Sequence, residues 1–370
     1  MIKIRTIVTV MNSQHFPIEV SGFIFPPGVE KKIEIETNSG RFRNIRAARG
    51  LRINKSNNQK LINDLHSGHE INFVYDAPSP NTTYGKVIRS LSDPIIKHLP
   101  KGVAGYHNHP VIGMNVRFFS KKRIIQHGKC LVGPNDVFIS HGIGDKDYWI
   151  APHISSFSHA LVPGPAWKER IEKGGYKGQV HVTGYTKLDP IFQGEYTRQK
   201  REKPYVVWAP THAYNKSFKN RTSYPECNKL IKEIPNCYET GIAYHPSARR
   251  EKDITMQELL DADVVIADAG STIYEAWALG KPVIFPDWIC KKGVLGKFSP
   301  GNIEYEIYDK GIGYHANSMN ELIDMIETAL VKGMQTAESE FIERIFPSEL
   351  RGVSGKKAAD VLLSIKEGGK

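Results

Sequence analysis

Asp261–Asp287 reads DADVVIADAGSTIYEAWALGKPVIFPD, and the fold follows from how this stretch is parsed. Val264, Val265 and Ile266 form a short β-branched apolar run, the pattern of a strand buried on both faces. The run ends at Asp268-Ala269-Gly270, where Gly270 permits a sharp turn and Ser271 or Thr272 supplies an N-cap. From Ile273 to Leu279 nothing breaks a helix, and Gly280 stops it. Lys281-Pro282 then leads into a second buried strand, Val283 to Phe285. The stretch is one βαβ unit with parallel strands, which puts the chain in the α/β class.

The chemistry lies at the junction of strand and helix. Gly270, Ser271 and Thr272 at a helix start offer unpaired backbone N–H groups, two hydroxyls and the positive end of a helix dipole, a set that suits a phosphate or diphosphate. One turn further, Glu275 places a carboxylate within reach of a ribose diol attached to that phosphate. The same residues also make an ordinary capped helix, and spacing alone leaves both readings open.

A length of 370 residues accommodates two domains of roughly 100–200 residues each. No apolar run approaches the roughly 20 residues of a membrane span. The start, MIKIRTIVTVMNSQHF, lacks the apolar length and cleavage site of a signal peptide, so a cytoplasmic location is expected. Cys130, Cys227, Cys237 and Cys290 have no zinc-type spacing and are read as reduced thiols. The net charge of +11 favours a polyanionic partner: nucleic acid, an anionic polymer or an anionic membrane face.

Residues 1–60 alternate apolar and polar positions between Gly and Pro turns and read as a small, basic, β-rich module. Near its end Arg43, Arg46, Arg49 and Arg52 are spaced by three. On a helical or turn-like path they form one cationic stripe able to track the phosphates of an acceptor, and an ordinary solvated face is the alternative. Residues 61–190 alternate strands and helices as an N-terminal Rossmann-like acceptor domain, with a helix over Thr83–Ile96 and a strand at Val137–Ile139. Ser140-His141-Gly142-Ile143-Gly144 leaves the end of that strand. In open α/β sheets ligands bind beyond the carboxyl ends of strands, so His141 is the candidate base for an attacking hydroxyl.

The charged stretch YTRQKREKP marks the boundary near 190–203. Residues 204–335 repeat the alternation as a C-terminal Rossmann-like donor domain, and 336–370 supply closing helices. Thr211 follows the strand Tyr205–Trp208, and His245 and Arg249 follow another strand at Thr240–Tyr244. The stretch GVLGKFSPGN, which starts at Gly293, reads as a glycine-rich loop. His107 and His109 have no third ligand nearby, and the pairs Asp145/Asp147 and Asp261/Asp263 are read as no metal site.

Several motifs then match a known order: SHGIGDKDYW, GYTKLDP, VVWAPTH, HPSARR, DITMQELLDADVVIADAGST and ALGKPVIF. In that sequence they resemble the CDP-glycerol glycerophosphotransferase family, over roughly Asp136 to Asp287. The resemblance implies a GT-B-like fold, two Rossmann-like domains facing a cleft with the donor nucleotide on the C-terminal one. It also implies His141 as base, with His245, Ser271 and Thr272 as donor-phosphate ligands. The family has Asp-Tyr-Ser-Ser where this chain has Asp268-Ala269-Gly270-Ser271, and Trp-Arg where it has His212-Ala213. DAGSTIYEA is closer to the donor loops of GT-B glycosyltransferases that use UDP-sugars, so the donor stays open.

The expected function is a metal-independent transferase that moves a glycosyl or glycerol-phosphate group from a nucleotide-activated donor to a hydroxyl of an anionic polymer. His141 is the base, and His245, Arg249, Lys216, Thr211, Gly270, Ser271, Thr272 and Glu275 hold the donor. The donor is a substrate, and no cofactor is expected. Three alternatives accompany this reading: a glycosyltransferase acting on hydroxymethylated bases of DNA, a hydrolysing nucleotide-sugar epimerase, and a non-catalytic polyanion-binding module.

Overall fold

The computed structural model describes residues 5–12, 18–20, 23–25, 30–36, 51–57, 73–77, 83–100, 104–108, 115–118, 137–139, 142–145, 154, 157–211, 221–245 and 255–368. The chain divides into two compact units. The smaller comprises Met1–Asn72 and Phe119–Gly133, the larger Phe73–Phe118 and Pro134–Lys370.

In the smaller unit β1 (Arg5–Asn12) pairs antiparallel with β4 (Glu30–Glu36) and with β5 (Leu51–Asn57), giving the order β4-β1-β5. β2 (Ile18–Val20) and β3 (Phe23–Phe25) form a separate antiparallel pair. The alternating patterns IEV and EKKIEIE lie in strands, as their period of two requires.

The larger unit holds two sheets. The first is built from β6 (Phe73–Ala77), β7 (Ala104–Asn108), β8 (Asn115–Phe118), β9 (Val137–Ile139), β10 (His159–Val162) and β11 (Gln179–Val182), in the order β11-β10-β9-β8-β6-β7. β8 runs antiparallel to both β6 and β9, so this sheet is mixed. The six residues 109–114 between β7 and β8 are too few for a parallel crossover, which needs about a dozen or more, and the chain returns in the opposite direction.

The second sheet is parallel throughout. Its strands are β12 (Tyr205–Ala209), β13 (Glu239–Ile242), β14 (Val264–Ala267), β15 (Val283–Pro286) and β16 (Tyr314–Ala316), ordered β13-β12-β14-β15-β16. β12, β14 and β15 are buried along their whole length, which is why they read as unbroken apolar runs. Val206, Trp208, Val264, Ile266 and Ile284 pack on one face with Leu322, Ile326 and Ala329 of the helix Met319–Lys332. On the other face Phe285 meets the Trp277 ring of the helix Ser271–Ala278, centroids 6.0 Å apart.

One expectation fails here. Gly293 to Lys297 do not form a loop but the last turns of the helix Asp287–Lys297, and only from Phe298 does the backbone leave it. Cys290 and Val294, one turn apart, are fully buried, and that burial outweighs the roughly 1 kcal/mol by which a glycine weakens a helix.

The chain ends with the helices Thr336–Ile345 and Ser354–Gly368. The first places the buried Glu338 so that its Oε1 accepts from Trp277 Nε1 at 2.6 Å and from the Val283 amide at 3.1 Å. The second starts on Asp189, whose buried carboxylate accepts from the amides of Ser354 at 3.3 Å and Gly355 at 2.6 Å. It packs against the helix Thr83–Ile96. A Cβ on Gly355 would stand 2.2 Å from the Pro94 carbonyl oxygen, a backbone atom that cannot move aside cheaply. Gly355→Ala is therefore expected to lower the unfolding free energy by about 2–3 kcal/mol, read as an earlier urea midpoint.

Candidate functional site

From β12 the chain moves to β13 on one side of the second sheet and later to β14 on the other. Such a reversal leaves a crevice beyond the carboxyl ends of the two central strands. Thr211, His245 and Gly270 follow β12, β13 and β14 respectively, so three of the expected donor residues leave the sheet at this edge.

Asp268, fully buried, ties two of these exits together. Its Oδ1 accepts from the amides of Thr211 at 2.8 Å and Ala269 at 2.7 Å. Its Oδ2 accepts from the amide and hydroxyl of Ser223 at 2.6 and 2.7 Å. Burial pushes the carboxyl's pKa up, and the donors from Ser223, Thr211 and Ala269 oppose the shift. Thr211 is locked from its other side as well, its carbonyl accepting from the Thr222 hydroxyl at 2.7 Å.

Gly270 turns the chain with φ +86°, the left-handed region that only glycine adopts without strain. It is also the N-cap of the helix Ser271–Ala278, and no side chain caps that helix; the expected caps, Ser271 and Thr272, stand inside it. The Gly270 amide donates to Glu304 Oε1 at 3.1 Å. The Ser271 hydroxyl is engaged elsewhere too. Its Oγ accepts from the amides of Ile143 at 3.1 Å and Gly144 at 3.4 Å, in the loop that follows β9 of the first sheet. The loop glycines are a steric necessity here. A Cβ on Gly142 would lie 2.7 Å from Ser271 Oγ, and one on Gly144 2.9 Å from Gly270 Cα.

Glu275 is buried rather than open to a ligand. Its Oε1 accepts from Lys187 Nζ at 2.8 Å and from the Tyr185 hydroxyl at 2.9 Å, both in the segment after β11, while Oε2 has no hydrogen-bond partner. Burial, then the neighbouring Glu275 charge, raises the pKa of Tyr185 well above the usual tyrosine range. Next to the loop, the buried Asp145 pairs with Arg170 Nε at 2.9 Å and accepts from the Ile303 amide at 3.0 Å. The Asp145 carbonyl accepts from Asn302 Nδ2 at 3.0 Å. Arg221 is buried as well. Burial lowers its pKa, and the Glu304 carboxylate acts in the opposite sense.

Of the other expected residues, Thr272 is half-buried at the helix start and His245 half-buried beyond β13. His141, Lys216, Arg249, Arg43, Arg46 and Arg49 lie outside the described residues. Arg52 stands in β5 opposite Met11, so its backbone is extended and not part of a helical stripe. Tyr185, Lys187, Arg221 and Glu304 carry no role in the sequence reading. The first two fall within GYTKLDP, a motif recognised without a function. Glu304 follows Asn302, which caps the helix Ile303–Lys310 by accepting from the amides of Glu304 and Tyr305, a start signal inside what reads as a loop. Among the described residues no group of three His, Cys, Asp or Glu side chains could hold a metal ion, and no helix is long and apolar enough to cross a membrane.

An α/β chain with a parallel sheet and a strand reversal, beyond whose carboxyl edge such folds bind ligands, is the class these observations define. No family model matches the sequence, and no curated protein matches it. Among solved structures, the chain is similar to a variant of the wall teichoic acid polymerase TagF, with 14% identity, 61% of this chain and 62% of that chain covered, and a TM-score of 0.43. A further TagF structure gives 15% identity, 63% and 69% coverage and a TM-score of 0.42. The calicheamicin glycosyltransferase CalG4 gives 14%, 56% and 52%, with a TM-score of 0.37. The match spans 62% of the length of the first of these proteins.

Because four donors converge on Asp268, Asp268→Asn leaves buried N–H and O–H groups facing an amide that supplies one acceptor in place of two. A loss of about 3 kcal/mol is expected in urea unfolding, beyond what Thr222→Ala costs at the edge of the same network.

Proposed function

We propose that the chain is a transferase that moves a glycosyl or glycerol-phosphate group from a nucleotide-activated donor to a hydroxyl of an anionic polymer. The observation that carries this reading is the contact between the Gly142–Gly144 loop and the Gly270–Ser271 turn. It joins the exit of β9 in one sheet to the exit of β14, beside the strand reversal of the other. A base on the first loop and a phosphate on the helix start would face one another across that contact.

In this reading His141 takes the proton of the acceptor hydroxyl as its oxygen attacks. With a sugar donor the bond to the nucleoside diphosphate breaks at the anomeric carbon. With CDP-glycerol the attack falls on the phosphorus bearing glycerol, and CMP leaves. Either leaving group departs as an anion, and the charge is met by His245, Arg249 and Lys216 together with Thr272 and the amides at the helix start. Positioned base catalysis supplies about 10²–10⁴-fold, so orientation and phosphate stabilisation carry the remainder. No resident cofactor or metal is called for. The excess of 11 positive charges suits a polyanionic acceptor, of which a teichoic-acid-type polymer and DNA with hydroxymethylated bases are the two to compare.

A thermal-shift series with UDP, CDP, a UDP-sugar and CDP-glycerol tests the donor. Binding at a hundredfold excess over Kd is expected to stabilise the fold by about 2.7 kcal/mol. UDP species acting alone would select glycosyl transfer, CDP species glycerol-phosphate transfer, and a flat response to all four would sink the proposal. With the donor known, His141→Ala is expected to abolish transfer while its donor affinity stays close to that of the parent chain. Release of free sugar without an acceptor would identify an epimerase instead.

A further inference from the structure

We infer that Ser271 is a positioning residue for the loop that bears the candidate base, on a helix anchored by Tyr185, Lys187 and Glu275, and that it is not a phosphate ligand. The inference rests on the transfer site proposed above and assigns these four side chains a role in it. Ser271 Oγ receives two backbone donors, from Ile143 at 3.1 Å and Gly144 at 3.4 Å, which uses its acceptor capacity. One turn further along the same helix, Glu275 Oε1 accepts from the Tyr185 hydroxyl at 2.9 Å and from Lys187 Nζ at 2.8 Å.

The ion pair and the phenol fix the helix that carries Ser271 against the segment after β11, and Ser271 reaches the amides two and three residues beyond His141. The Lys187 side chain is 10% exposed and that of Glu275 0%, so neither charge can relax into water if its partner is lost. Without Lys187 the Glu275 carboxylate loses its counter-charge, and the helix that carries Ser271 loses its anchor to the segment after β11. Glycine at 142 and 144 permits the approach but cannot by itself hold a loop in one conformation, since glycine raises backbone freedom. The hydrogen bonds to Ser271 supply that restraint. Donor phosphates then fall to Thr272 and the unengaged amides of the same helix start.

The test compares the full chain with Ser271→Ala, Tyr185→Phe, Lys187→Met and Lys187→Arg. Amide hydrogen exchange is followed at Ile143 and Gly144 without any nucleotide present. Ser271→Ala is expected to speed exchange at these two amides about tenfold, the factor one net hydrogen bond sets, with the urea midpoint nearly unchanged. Lys187→Met is expected to do the same, and Lys187→Arg to restore protection. In turnover assays with whichever of UDP-glucose or CDP-glycerol shifts the melting temperature, Ser271→Ala should lower kcat and leave donor Kd unchanged. Unaltered exchange at Ile143 and Gly144 would overturn the inference, as would a weakened donor Kd with kcat retained, the signature of a phosphate ligand. Because the exchange arm uses no donor, failure of the transferase reading would leave it decisive.

Discussion

Four donors converging on the buried Asp268 carboxylate set the geometry of the second sheet's carboxyl edge. A carboxylate taken out of water is costly unless hydrogen bonds replace its hydration. The four come from the exits of β12 and β14 and from Ser223, so solvating the charge and fixing the loops are one event. Any rearrangement that moves Thr211 or Ala269 away returns the cost of burial. The crevice at the strand reversal is thereby a stiff place in a region made of loops.

The same logic extends to the next layer. The Gly270 amide would be an orphan donor at a helix start, and the Glu304 carboxylate from the helix Ile303–Lys310 accepts its hydrogen bond. That puts a negative side chain against the positive end of the helix Ser271–Ala278, which lowers the energy of both. An incoming phosphate therefore meets a helix start whose first amide is already engaged. The buried Arg221 near Glu304 keeps the local charge from becoming wholly acidic.

How much of this was legible in the sequence depends on the range of the interaction. The βαβ unit at Val264–Pro286 was readable because burial on both faces and helix continuity are written locally, and Thr83–Ile96 was readable for the same reason. Gly270 was recognised as the turn, since a left-handed residue between strand and helix leaves few other choices. The use made of Ser271 was not readable, because its partners Ile143 and Gly144 lie over a hundred residues away in sequence. Local rules offered capping, a good prior that the tertiary contact displaced. Glu275 followed the same course, its charge claimed by Lys187 from a distant segment. The reversed β8 and the helical Gly293–Lys297 were lost to connection length and to burial of Cys290 and Val294, neither of which a glycine count registers.

The Lys187–Glu275 pair shows how such a contact becomes specific without adding much stability. Desolvating two charges costs nearly as much as their attraction returns, so a buried pair is close to neutral beside an apolar pair of equal volume. Breaking it is another matter, since the surviving charge is left buried at a cost of several kcal/mol. Displacing the segment after β11 relative to the helix Ser271–Ala278 would strand both charges. Apolar packing at the same place would tolerate such sliding. The ion pair thus selects one register from many of similar packing energy, and that register sets Tyr185 against Glu275 and Ser271 against the loop. A site assembled from distant segments needs a restraint of this kind, because hydrophobic burial alone rewards contact without fixing position.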